Sequence, residues 1–358
     1  MTRPPPQRPR RRLSPRAVRA ALMVAIALSA PGAVLGSQLA DTLQPGPLPV
    51  ETAPIGHFDL ARPDRTRFGA LTFLGGLAVR SPGREVAGLS GLTLTGDGDD
   101  IVAVSDFGRW FRARLITDAE GRPTGLTDTW LGPILDVDGR PTYKSRVDAE
   151  AIAALPAGGF LVSLEGRGLM RFRGPDPFRA RPVPVPLPPW LKRLPSNRGI
   201  EAIAAERLPG GGARYIAIAE AATGDGLIPA AIVPATPHED AGFAAAAWRS
   251  RPVRAVDGFS VTDAAFLPDG GLLLLERRYD RPIGVYMRLR RISAAELAGR
   301  GPLTGEEILR ADFGQEIDNM EGLAVHRDRA GRLIVTLISD DNRSLFQRTL
   351  LLRFRLDG

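Results

Sequence analysis

The sequence predicts an all-β fold, a β-propeller of five to six blades closed by strands from both chain ends. Three observations predict it. First, one motif returns five times, roughly 50 to 60 residues apart, with leading positions Ser90, Glu150, Glu201, Asp263 and Glu321. Second, each copy is two short apolar runs separated by a Gly-containing break, which is a hairpin signature. Third, Gly and Pro number 40 and 32 of 358 residues while helix-period stretches are few, and both suit strands and turns.

Residues 1–36 have the pattern of an export signal. Arg3, Arg8, Arg10, Arg11, Arg12, Arg16 and Arg19 precede an apolar run from Ala20 to Ala30, and small residues follow, with Gly36-Ser37 as the expected cut. The apolar run is too short for a spanning helix, so no stable membrane span is expected after cleavage. This segment carries seven Arg and no acid, so the formal charge of +7 becomes 7 − 7 = 0 without it. The basic balance therefore belongs to the leader, and a nucleic-acid partner is excluded. There is no cysteine, which rules out thiolate catalysis and thiolate metal sites.

Residues 37–56 read as a Pro-rich connector, and residues 57–358 as the propeller domain. Leu71-Thr72-Phe73-Leu74 and Leu77-Ala78-Val79 are strand-like, as is Leu350 to Leu356 at the other end. These segments are expected to meet in one blade and leave no open edge. Whether they complete the fifth blade or build a sixth is open at this point.

Each repeat places a leading residue before its inner strand and a trailing acid after the next strand. Blade one has Ser90 with Asp106, blade two Glu150 with Glu165, and blade three Glu201 with Glu220. Blade four has Asp263 with Glu276, and blade five Glu321 with Asp340. Inner strands are expected to start near 91, 151, 202, 264 and 322. Both ends of a hairpin lie on one side, so these acids gather around one mouth of the channel. Between blades two and three, eight prolines from Pro175 to Pro195 rule out a central strand and mark an insertion. Pro189–Leu194 and Ser293–Arg300 are short helix candidates.

A ring of carboxylates needs cations, because two unit charges about 5 Å apart repel by roughly 3 kcal/mol at an effective dielectric of 20. Hard oxygen ligands favour calcium, then magnesium, over zinc. The candidate metal ligands are Glu150, Glu165, Glu201, Glu220, Asp263, Glu276, Glu321 and Asp340, with Glu150, Glu201 and Glu321 also the candidate catalytic groups. Arg109, Arg167, Arg198, Arg277 and Arg343 are candidate substrate-binding residues, since a guanidinium holds carboxylate or phosphate in a bidentate way. Each arginine could instead neutralise its neighbouring acid. His57, His238 and His326 are too scattered for a histidine metal site.

The runs Asp148-Ala149-Glu150-Ala151-Ile152, Asn197-Arg198-Gly199-Ile200-Glu201 and Asp318-Asn319-Met320-Glu321-Gly322-Leu323 resemble the phytase-like family, described as having esterase-like activity. The resemblance covers roughly residues 66 to 356. It implies an exported bacterial propeller with hydrolase activity on small-molecule esters, and the arginines leave open that the ester is anionic. The longer Asp-rich motif of calcium-dependent propeller phytases is missing, and Ser90 breaks the ring of acids in blade one, so phytate is not the expected substrate. The leading expectation is a hydrolase of an ester or phosphoester using a divalent cation. The alternative is a non-catalytic periplasmic binding propeller, since the fold hosts both roles.

Overall fold

The structure is a computed structural model that describes residues 44–142, 147–192, 194, 199–236, 240, 243–280 and 284–357. Five antiparallel sheets form five blades, each starting from an inner strand. The inner strands are Leu89–Thr95, Ala149–Ala154, Ile200–Arg207, Ser260–Phe266 and Asn319–Arg327. Each touches the next, and the fifth touches the first, so they ring one axis.

These blades are buried on both faces, which is why strands such as Leu272-Leu273-Leu274-Leu275 are apolar without alternation. Five apolar clusters fill the five gaps between neighbouring blades. Trp110 of blade one, for example, meets Phe160 and Phe172 of blade two, the latter edge-on with centroids 5.0 Å apart.

Strands from the two sides of the sequence meet in blade five, and the described residues form five blades, not six. Leu71–Arg80 pairs with Thr349–Leu356, placing an N-terminal strand outside three C-terminal ones. The Pro-rich segment adds edge strands. Glu51–Ile55 pairs with Leu71–Arg80, and Gly46–Pro47 pairs with the outer strand of blade one. Pro54 sits on such an edge, where a missing N–H costs nothing.

The insertion after blade two contributes a three-residue edge strand, Pro182–Pro184, and one helical turn, Pro189–Lys192. It then lays Val185, Leu187 and Leu191 into the apolar cluster between blades two and three. The second short helix, Ala294–Ala298, is capped by Ser293, whose hydroxyl accepts the Glu296 N–H at 3.1 Å. Among the described residues no helix is long and apolar enough to cross a membrane.

Candidate metal and active site

The acids reach the mouth through one local device. In every inner strand the register with the second strand slips by one residue, at the leading position in four blades and one residue before it in blade four. Such a bulge leaves one residue unpaired and turns its side chain out of the ladder. The bulged residues are Ser90, Glu150, Glu201, Thr262 and Glu321. The inner strands consequently begin before the leading residue, not just after it.

The trailing residue closes the same end. The backbone N–H of Asp106, Glu165 and Glu220 donates to the carbonyl two residues before the bulge, of Gly88, Asp148 and Gly199, at 2.9, 2.7 and 3.2 Å. In blades four and five the matching register pairs are Ser260 with Arg277 and Asn319 with Asp340.

Blade four therefore departs from the expected phase by one residue. Thr262 and Arg277 occupy its ring positions. Asp263 and Glu276 lie elsewhere and are fully buried. Asp263 takes the position held by Gly91, Ala151, Ala202 and Gly322 in the other blades. There it accepts the N–H of Leu323 at 2.7 Å and of Ala264 at 2.8 Å. Burial, before any other influence, pushes its carboxyl well above the usual range. Glu276 is held inside the blade by Arg288 and Arg290, with contacts of 2.6 Å to each. Both carboxylates are enclosed in protein, away from the mouth.

At the mouth, Asp148, Glu150 and Glu165 form a tight group, with one oxygen from each within 4.8 Å of the others. Burial pushes Glu150 up to about 10, and Glu201, Asp148, Glu165 and Glu321 push it further the same way. Burial raises Glu201 to about 8, with Glu220 and Glu321 adding to it and Arg277 opposing. Glu321 rises to about 7 because burial outweighs the nearby Arg277. Asp340 also rises to about 7, through burial first, while the Asn342 N–H at 2.6 Å opposes and Asp106 and Asp341 add to the rise. Burial and mutual repulsion thus raise the pKa values of several carboxylates gathered at the mouth.

The other side has its own cation. Arg277 contacts Glu321 at 2.5 Å and Glu220 at 3.9 Å, and bonds Asn319, whose amide in turn donates to Glu321 at 2.8 Å. Of the other expected arginines, Arg343 is exposed and stacks 3.6 Å over the Phe107 ring. Arg167 is exposed in the turn after Glu165, and Arg109 is half-buried at the start of a blade-one strand. Arg198 and His238 lie outside the described residues. His326 is half-buried at the far end against Arg353, its Nε2 2.9 Å from the guanidinium, and takes no part in the mouth.

Two of these residues escape a reading by repeat alone. Asp148 lies two residues before Glu150, a spacing that puts side chains on one side of an extended chain, and that was its available signal. Arg277 was visible as a cation, but its place in the ring follows only from the bulge. The Ser90 and Thr262 hydroxyls do different work, donating to the carbonyls of Ala149 and Met320, the residues before the next blade's bulge.

The sequence matches the family model for phytase-like proteins, described as esterase-like activity of phytase, over residues 84–343. No curated protein matches it. Among solved structures it is similar to the Dos1 propeller, with TM-score 0.34 and 10% identity over 82% of this chain and 69% of that one. It is also similar to U3-55K, with TM-score 0.38 and 9% identity over 79% of this chain and 98% of that one. With the family match running through all five blades, from before Ser90 to beyond Asp340, the chain belongs to the phytase-like family.

Proposed function

We propose that this protein is an exported hydrolase that cleaves an ester at the acid-lined mouth with the help of a divalent cation, calcium in preference to magnesium. One observation carries the reading: Asp148, Glu150 and Glu165 bring three carboxylate oxygens within 4.8 Å of one another in a half-buried site. Like charges so placed are costly alone and favourable around a hard cation. When bound, a divalent cation polarises an ester oxygen and lowers the pKa of a water.

The chain's own residues supply the rest. Asp148, Glu150 and Glu165 hold the cation. Glu201, raised to about 8, is matched to taking a proton from water near neutral pH and returning it to the leaving alcohol. Arg277 opposes the rise that burial imposes on Glu321, contacts Glu220, and offers positive charge to an anionic substituent. Asp263 accepts the Leu323 N–H of the next blade and so ties the inner strands of blades four and five together beneath the mouth. Export follows from residues 1–36, which lie outside the described residues, and N-terminal sequencing of exported protein is expected to begin near Ser37.

Calorimetry with calcium and with magnesium tests the centre, and release of p-nitrophenol from p-nitrophenyl acetate and p-nitrophenyl phosphate tests the chemistry. The expected result is calcium binding that Glu150→Gln weakens by about tenfold or more, with ester cleavage that follows calcium occupancy. Calcium binding with neither ester cleaved favours the non-catalytic binding propeller. No binding of either cation at millimolar concentration overturns the metal centre.

A further inference from the structure

A cavity of about 400 Å³ opens beside the carboxylate group, between blades two and three. Among the described residues its apolar lining comes from Leu164, Val185, Leu187, Leu191, Leu194 and Ile200, of which Leu194 is the most exposed, and Ser163, Glu165 and Arg167 supply polar side chains. Small-molecule sites run from about 300 to 1,000 Å³ and are mostly apolar with a few converging polar groups, which is the composition found here.

The Pro-rich insertion builds this cavity. Prolines 182, 184, 186, 188 and 189 lack the N–H needed to extend the sheet, so the chain leaves blade two after its short edge strand. The helical turn Pro189–Lys192 then returns Leu191 toward the blades, where it and Leu187 are almost fully buried. Leu194 stays half-buried and forms part of the wall. On the other side the cavity ends at Gly199 and Ile200, directly before Glu201. The apolar space is thus bounded by one mouth acid, Glu165, and by Ile200, the residue before Glu201.

We propose that this cavity binds the aliphatic chain of the substrate, so that the ester is one of a hydrocarbon acid or alcohol and not of a polyhydroxy compound. The inference rests on the ester-hydrolase reading, because it places the ester carbonyl at Asp148, Glu150 and Glu165. A chain reaching from that point past Glu165 meets leucine and valine, which gain nothing from hydroxyl groups and would leave them without partners. Each methylene taken from water into such a wall strengthens binding by up to about fourfold, or about 0.8 kcal/mol.

The test uses 2-alkanones, which carry an ester-like carbonyl, are uncharged and cannot be hydrolysed. Their dissociation constants are measured by NMR titration of the full chain, with and without calcium, from 2-butanone to 2-octanone. Dihydroxyacetone serves as the polar control. Affinity is expected to rise at least about tenfold from 2-butanone to 2-octanone, while dihydroxyacetone binds no more tightly than 2-butanone. Leu194→Trp fills the half-buried wall and is expected to flatten the series. A series already flat in the wild type, or dihydroxyacetone as the tightest ligand, overturns the proposal without any variant.

Hydrolysis of p-nitrophenyl hexanoate, followed on the same samples, separates this inference from the reading beneath it. A rising alkanone series without hydrolysis keeps the chain-binding cavity and removes the hydrolase. Hydrolysis with a flat series keeps the hydrolase and removes the cavity's role.

Discussion

Glu150 and Glu276 are both carboxylates withdrawn from water, and their neighbours answer that cost in opposite ways. Glu276 meets two guanidiniums in bidentate contact, so its charge is matched inside the blade. Removing one partner of a buried ion pair typically costs about 3–5 kcal/mol. Glu276→Gln is therefore expected to lower stability in urea by that amount and leave calcium affinity unchanged, since the mouth is not touched. Glu150 meets other carboxylates instead, and its raised pKa records burial and repulsion. Glu150→Gln is expected to stabilise the calcium-free protein at pH 8, on the order of 2 kcal/mol, because each unit of raised pKa is worth about 1.4 kcal/mol against the charged form. The same change is expected to reduce stabilisation by calcium, by about 1.4 kcal/mol for each tenfold loss of affinity. Denaturant melts of both variants, with and without calcium, read all four outcomes. Loss of stability in calcium-free Glu150→Gln would mean that Glu150 is a structural residue.

At the scale of the strand, the residue after the bulge decides how closely the inner strands pack. A Cβ on Gly322 would lie 2.6 Å from Ile338 Cγ2 and 2.7 Å from Leu92 Cβ, and one on Gly91 would lie 2.9 Å from the Ile152 nitrogen. Gly322→Ala is expected to cost about 1–3 kcal/mol by overpacking. Its urea midpoint should drop without a change in slope, since the unfolded chain is the same size. An unchanged midpoint would show that the strands can part at no cost.

That position also shows how far the sequence could be read. The blades, their order and the closing strands are legible, because apolar runs, glycine turns and a fixed period are local signals. The bulge is not, because it is a choice between two registers that local composition does not separate. In blades two, three and five an acid sits at the bulge and the repeat reads correctly. In blade four Asp263-Ala264-Ala265-Phe266 imitates the pattern one residue late, and the alignment followed the acid and not the register. Thr262 and Arg277 carried no sequence mark of their places in the ring. The cavity beside Glu165 was equally hidden, since the prolines announced an insertion but not which leucines it would turn inward.

For the whole molecule, the carboxylate mouth makes stability depend on pH with a definite sign. Glu321 and Asp340 ionise near pH 4 in the unfolded chain and at about 7 when folded, and Glu201 at about 8. Between these values the folded protein binds more protons than the unfolded one, so the stability gradient with pH is negative. The contribution is fully present below about pH 4 and is lost as pH rises through 7 to 8, opposite to an acid held by a salt bridge. Carboxylates such as Asp118 and Asp328, where burial opposes but Arg122 and Arg332 lower the pKa, contribute stability that is fully present above about pH 4 and lost only as pH falls below it, so they do not alter the slope between pH 5 and 8. Calcium-free protein is therefore expected to melt at a temperature about 5 °C or more lower at pH 8 than at pH 5. A cation that binds the ionised mouth reverses the loss, by RT ln(1 + [L]/Kd), and does so more strongly where the acids are ionised. Scanning calorimetry at pH 5 and pH 8, with 10 mM calcium and with chelator, is the measurement. The melting temperature should fall with pH in chelator and stay nearly level in calcium. A flat profile in chelator would mean that Arg277 and its neighbours already neutralise the ring, leaving no charge for a metal to answer. A fall that calcium does not repair would mean that the acids repel one another but are not arranged to hold an ion.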